Sequence, residues 1–499
     1  MNRRILPLIA ALGLALIPTA NAAQITPTPR AVAVPVTATN RPFLGARTAL
    51  QPVDLAPRGY VEEEFFVSGN ANIYDWSAPG AKSPVTLRTA RVPYATRLLV
   101  RRPQDPGRAS GRVIVELLEA SGAYDTAPLW GYSWEHFLRH GDIWVGLTVR
   151  PAAVETLKRF DPVRYAPLSF AYAQAADCQD AGNAQSEEGL AWDVTAQVGA
   201  LLRSSTKENP LAGFDVRRLV VAGYAQAGGE LVTYLNAVHD ALRLGNDLPV
   251  YDAYVEADGA MAPAPINQCA AALAAGDARR RVSHRDAPVV TVMTQTDFAR
   301  ALDVRRQDSD APEDYFRLYE IAGAAHSGPF PAGQPAVMDL KIAGLPGPDS
   351  AEACVEPAST FPAGYAFNGL WMQLEDYLLR SVPLQHAAPI GVGEQGKVVL
   401  DAKGNAVGGL RLPQLSVPLA TYAGRSTPRE ANPRSEERCG RTGAMRRYDA
   451  AELKALYGSR AGYLKRFNEA VDAALADRWL EPADAAALKA QAPRTTPAF

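Results

Sequence analysis

The sequence is sparing in the features that mark a metal-stapled domain, a nucleic-acid binder or a membrane protein. Its 499 residues hold only four cysteines and six histidines and carry a formal net charge of −2. The cysteines (Cys178, Cys269, Cys354, Cys439) lie far apart and form no C-x-x-C pair, so no zinc module of the usual spacing is present. No extended basic run occurs, which argues against nucleic acid as a partner, because holding a phosphate backbone needs concentrated positive surface. Past the N-terminus no apolar run is long enough for a membrane span. No cofactor motif and no internal repeat is seen. With so few histidines, the search for a general base is short.

What is present is an ordinary globular balance, 47% hydrophobic and 21% charged, enough to bury a large core. The N-terminus, "MNRRILPLIAALGLALIPTANAA", has a charged start, an apolar stretch too short to span a bilayer and a small-x-small site at Ala20-Asn21-Ala22. It reads as a signal peptide cleaved after Ala22, the alternative being a buried helix. The mature protein is then expected to be exported, periplasmic or secreted. No cysteine follows the cleavage site, so a lipid anchor is not expected.

Residues 23–57, rich in Pro, Ala and Thr, read as an extended arm, and 58–499 as a single domain. From Tyr60 to Pro103 the pattern suits antiparallel strands. Then strands and helices alternate. "RVIVELL" (112–118), "DIWVGLTV" (142–149), "RRLVVAG" (217–223), "YDAYVEA" (251–257), "PVVTVMT" (288–294) and "YFRLYEIAG" (315–323) are the strand candidates. Helical patterns lie between most of them, notably 187–204 and 228–242. This rhythm predicts an α/β fold, a mostly parallel sheet flanked by helices, with its core at about 110–330. The region from about 331 to 499 is expected to cover that core: loop-rich at first, with a hairpin at 398–413 and three helices between Asp449 and Ala492.

One stretch carries chemistry. In "VVAGYAQAGGELVTYLN" (220–236) an apolar strand meets Gly223 and a helical pattern starts at Gly228, the layout of a nucleophile elbow. Such a turn is tight and demands small residues, and Gly223, Ala225, Ala227, Gly228 and Gly229 supply them. The position that should carry serine is Ala225. Acyl transfer by serine also needs a histidine base and a carboxylate to orient it, in the chain order Ser, acid, His on this layout. Asp297 follows the strand 288–294, and His326 follows the last strand, in "EIAGAAHSG". Asp258, just after the preceding strand, is the alternative acid; Glu256 is placed within that strand, and His239 reads as a packing residue. Ser133 in "GYSWE" lacks the elbow's small residues and reads as lying near a helix start. The loop after 112–118, containing Ser121, is where an oxyanion hole belongs. Its expected donors are the backbone N–H groups of Glu119 and of Gln226.

Taken together, "GYAQAGGELVTYLNAVH", "TQTDFARAL", "RLYEIAGAAH" and "GNAVGGLRLP" resemble the large bacterial α/β-hydrolase domain family, whose elbow usually reads G-Y-S-Q-S-G-G. The resemblance extends to "EEEFFVSGNANIYD", "YDTAPLW" and "RPAAVETLKRFDPVRYAPLSF", and so spans nearly all of the mature chain. It implies an α/β-hydrolase fold and a small-molecule ester substrate, with the nucleophile at position 225, the acid at Asp297 and the base at His326. Two departures stand out: Ala225 and Ala227 replace small polar residues, and Gln295 stands where relatives commonly have a carboxylate. A methyl group cannot attack a carbonyl, so the chain as written is expected to be inactive or nearly so; a binding protein that keeps the pocket is the other reading. Export makes the four cysteines candidates for two disulfides with three possible pairings, Cys269–Cys354 being the one expected here, against buried free thiols.

Overall fold

The computed structural model describes residues 24–37, 40–78, 83–173, 185–259, 262–282, 285–346, 353–430 and 432–499. The signal-peptide reading falls on residues outside these. From the N-terminus come β1 (Gln24–Ile25), β2 (Arg30–Val34), β3 (Tyr60–Trp76), β4 (Val85–Pro103) and β5 (Arg112–Leu117). Helix α1 (Pro128–His140), β6 (Ile143–Leu147), α2 (Pro151–Phe160), α3 (Ala191–Arg203), β7 (Arg218–Tyr224) and α4 (Gln226–Ala237) follow. The sheet is completed by β9 (Ala253–Ala257), β10 (Val289–Thr294) and β11 (Phe316–Ile321), while β8 (Leu242–Arg243) pairs with β1 in a separate two-stranded sheet.

Nine strands form the central sheet in the order β11-β10-β9-β7-β5-β6-β4-β3-β2. From β6 across to β11 every pairing is parallel. The long hairpin β3/β4 joins β6 antiparallel, and β2, within the stretch read as an arm, pairs with β3 as the outer strand. The parallel strands β5, β6, β9 and β10 are buried along their whole length, as a sheet covered by helices on both faces requires. This is the α/β-hydrolase fold.

The strand order locates the site. From β5 the chain moves to β6 on one side, then returns to β7 on the other. A crevice opens at the carboxyl ends of the strands where the winding reverses, and the loops after β5 and β7 rim it. A buried charge network fixes the first loop from below. The guanidinium of Arg97 on β4 donates to Glu64 on β3 at 3.1 Å and to Asp125 in the loop at 2.9 Å. Glu116 on β5 accepts from the N–H groups of Leu129 (2.8 Å) and Trp130 (2.9 Å), capping α1 from inside the sheet. Burial pushes the Glu116 carboxyl up to about 7.

The C-terminal region holds α5 (Val337–Ile342), α6 (Gly364–Arg380), α7 (Pro413–Ser416), β12 (Ala420–Ala423), α8 (Pro433–Thr442) and β13 (Ala444–Arg447). Three helices close the chain: α9 (Ala450–Tyr457), α10 (Arg460–Ala476) and α11 (Pro482–Thr495). The expected hairpin at 398–413 is a turn with isolated antiparallel bridges such as Leu400–Ala406, and Leu410 bridges Ile321 in parallel beyond the β11 edge. The Asp401 carboxylate accepts the N–H groups of Lys403 and Asn405, so backbone donors organise this loop. The expected Cys269–Cys354 pair is not made: Cys354 is bonded to Cys439, tying the loop before α6 to α8. Cys269 is also disulfide-bonded, and Cys178 lies outside the described residues.

Candidate active site

Strand β7 ends at Tyr224 and α4 begins at Gln226, leaving Ala225 alone to make the turn. It does so at φ 52°, ψ −116°, a region that L-residues avoid and that costs about 1–3 kcal/mol. Crowding explains the small neighbours. A Cβ on Gly223 would sit 2.4 Å from the Ala227 carbonyl oxygen, and one on Gly228 would sit 2.6 Å from that of Ala257. The turn is therefore possible only where strand, helix and the end of β9 approach without side chains.

Asp297 lies three residues past the end of β10 and stands before a short 3-10 turn, Phe298–Arg300, without capping it. Its carboxylate instead accepts the Nδ1–H of His326 at 2.6 Å and the Thr294 hydroxyl at 3.0 Å. His326 lies in the loop after β11. Its own N–H donates to the Thr296 hydroxyl, which donates to the Gly424 carbonyl, and its carbonyl accepts from Tyr224 at 2.7 Å. The imidazole is thus clamped from the elbow strand and from the C-terminal region. The alternative acid, Asp258, lies below the pair. One of its oxygens accepts the Thr294 N–H at 2.7 Å and the other is 3.8 Å from His326 Nδ1. Burial, then the charge of Asp297, raises the Asp258 carboxyl well above the usual carboxylate range. Glu256 lies within β9 and accepts the Gly259 N–H.

The far nitrogen of His326 has a partner that nothing in the sequence signals. Arg441, on the last turn of α8, donates from Nη2 to His326 Nε2 at 2.8 Å. The contact requires a neutral ring with its proton on Nδ1, the tautomer that a general base needs. Ala225, His326, Tyr224 and Arg441 line one cleft of about 230 Å³, together with Glu119, Ser121, Gly122 and Tyr124 from the loop after β5.

One expected oxyanion donor is excluded. The Glu119 N–H donates to the Thr126 carbonyl at 3.0 Å in a β-bridge across the loop. The Ser121 N–H is taken by the Glu119 carboxylate at 2.7 Å. Among the described residues no acceptor is found for the N–H groups of Ala120 and Gly122 in the same loop. Gln226 stands at the first position of α4, where an N–H has no partner within the helix.

The remaining sequence candidates resolve as structural. Ser133 is buried in the middle of α1, not at its start, and accepts from the Trp371 indole at 3.2 Å. His239 is held between the Tyr254 hydroxyl and Asp286, each at 2.8 Å. Among the described residues two groups have metal-like spacing, the Asp258–Asp297–His326 cluster and His136–His140–Glu481. In the second, Arg112 donates to His136 Nε2 at 3.0 Å, so Nδ1 carries the proton and donates to Glu481 at 2.9 Å. That leaves His136 no lone pair for a metal.

Fold and elbow define an α/β hydrolase. A family model described as alpha/beta hydrolase domain matches residues 27–490, and the chain belongs to that family. No curated protein sequence matches it. Among solved structures it is similar to LpqC, a poly(3-hydroxybutyrate) depolymerase of Bordetella parapertussis (13% identity, 58% of this chain, 86% of that one, TM-score 0.26). It is similar also to XC6422 of Xanthomonas campestris, an α/β serine hydrolase without a lid (10%, 55% and 90%, TM-score 0.26). A third is a lipase/esterase of Lactobacillus plantarum (11%, 47% and 84%, TM-score 0.25).

Proposed function

We propose that this chain is an exported carboxylic-ester hydrolase in a form that lacks its nucleophile. Position 225 is the place for serine, His326 is the general base and Asp297 orients it. The observation that carries this reading is the 2.6 Å bond between Asp297 and His326, at a cleft whose wall includes the strained turn at Ala225. A serine there would give its proton to His326 Nε2 as it attacks the ester carbonyl, and His326 would return it to the departing alcohol. The charged oxygen would be met by the Gln226 N–H and by Ala120 or Gly122, in place of Glu119. With a methyl group at 225 no covalent step is available, and loss of a triad serine lowers turnover on the order of a millionfold. The test is Ala225→Ser assayed on aryl and alkyl esters beside the unaltered chain.

A second reading, a binding protein that keeps the pocket, is favoured by the Arg441 contact, which fills the base's free nitrogen without a serine. It expects saturable ligand binding and no hydrolysis even after serine is introduced.

A further inference from the structure

Arg441 sits in the cleft without a strong counter-charge. Its Nη1 donates to Glu437 at 3.1 Å, but that carboxylate is 70% exposed, where a pair contributes little. Its Nη2 donates to a neutral imidazole, which accepts a proton bond but offers no charge. It is the sole Arg or Lys among the described residues lining the cleft. The acidic groups nearby are already engaged: Glu119 by the Ser121 N–H and the Thr126 hydroxyl, Asp297 by His326 and Thr294. The backbone that carries Arg441 is fixed independently. Its carbonyl accepts the Ser327 N–H at 2.9 Å, next to His326, and Cys439 one half-turn earlier is locked to Cys354. A rigid backbone therefore presents a long, under-compensated cation beside the base.

We propose that Arg441 is a carboxylate-recognition residue, so that the cleft takes esters, or their acid products, bearing an anionic carboxylate. A guanidinium–carboxylate bond is charge-assisted and roughly twice as strong as one to a neutral acceptor. A carboxylate entering the cleft draws Arg441 off His326 and frees Nε2 for a nucleophile's hydroxyl. A neutral ester leaves Arg441 where it is, competing with that hydroxyl. The residue then sets specificity twice, by attracting the anion and by uncovering the base when the anion arrives.

The substrate part of this proposal rests on the ester-hydrolase reading; the anion site does not, and the experiment separates them. In the unaltered chain, calorimetric titration with benzoate and glutarate is compared with benzamide. The anions should bind at least about tenfold more tightly than the amide, an advantage lost in Arg441→Gln and partly kept in Arg441→Lys. In the Ala225→Ser background, kcat/KM is measured for 4-nitrophenyl acetate, for mono-4-nitrophenyl glutarate and for 4-acetoxybenzoate. These are neutral, acid-side anionic and alcohol-side anionic in turn. At least one anionic ester should exceed the neutral one by about tenfold or more, and Arg441→Gln should collapse that ratio. Anions that bind no better than benzamide, or a preference unchanged in Arg441→Gln, would overturn the proposal. If Ala225→Ser turns over no ester at all, the hydrolase reading fails and the calorimetric comparison alone decides the role of Arg441.

Discussion

Asp297 gives its carboxylate to His326 at 2.6 Å and leaves the short helix that follows it uncapped. An aspartate in that position ordinarily caps the turn, since the bond to a backbone N–H is local and readily formed. Here the carboxylate is spent on a residue 29 positions away, with the Thr294 hydroxyl holding it in line.

On the proposed reading, placing a serine at 225 should create ester hydrolysis where the unaltered chain is expected to give almost none, a rise on the order of 10⁴–10⁶ in turnover. Adding His326→Ala to that variant should return the rate to background. Initial rates on 4-nitrophenyl acetate measure both, and a His326→Ala double variant as fast as the single one would remove His326 from the mechanism.

The two aspartates should separate sharply in the same background. Asp297→Asn should lower kcat by about 10⁴, because the amide forces the wrong imidazole tautomer. Asp258→Asn should change kcat by only several-fold, since its nearer oxygen stands 3.8 Å from His326 Nδ1, beyond hydrogen-bond distance, while Asp297 holds that nitrogen at 2.6 Å. Equal losses in the two variants would mean that the acid role is shared.

Reducing the Cys354–Cys439 bond should cost about 2–5 kcal/mol of stability, as removal of a disulfide that closes a long loop does. Urea unfolding of a Cys354→Ser/Cys439→Ser variant measures it. The same variant should lose much of its anion preference, because α8 then no longer holds Arg441 firmly against the cleft.

Stability should also fall as pH rises through the neutral range because of Glu230 on α4. Burial pushes its carboxyl up to about 8, with Arg150 only partly opposing the shift. Between the ordinary carboxylate range and about 8 the unfolded chain has released this proton and the folded one still holds it. The group therefore favours the folded state at low pH, and that advantage is lost as pH climbs, by up to roughly 1.4 kcal/mol per pH unit. Glu230→Gln should flatten this part of the curve in denaturant titrations from pH 5 to 9; an unchanged slope would assign it to other groups.

Much of this architecture could be read from the chain because the alternation of apolar runs and helical periods directly reflects a sheet covered on both faces. The positions of Asp297 and His326 at strand ends were legible for the same reason: in this fold, strand ends are where loops reach the crevice. Other features depend on how distant loops pass one another, which no local pattern encodes. Cys354 meets Cys439 and not Cys269 because the loop before α6 bridges Pro428, ahead of α8, and donates from Ser359 N to the Thr442 carbonyl at its end. The Glu119 amide is taken by a bridge with Thr126, seven residues on, that closes the loop after β5 upon itself. Arg441, 115 positions from His326, has no motif around it at all.

The contorted backbone at Ala225 bears on the history of the chain. Glycine would adopt φ 52°, ψ −116° with far less penalty, and a single nucleotide change separates alanine codons from glycine codons. A lineage long freed from holding a side chain at this spot would meet that relieving change often and gain stability from it. On the proposed ester-hydrolase reading, alanine at 225 keeps the bend and its cost and differs from the expected serine by a single oxygen atom.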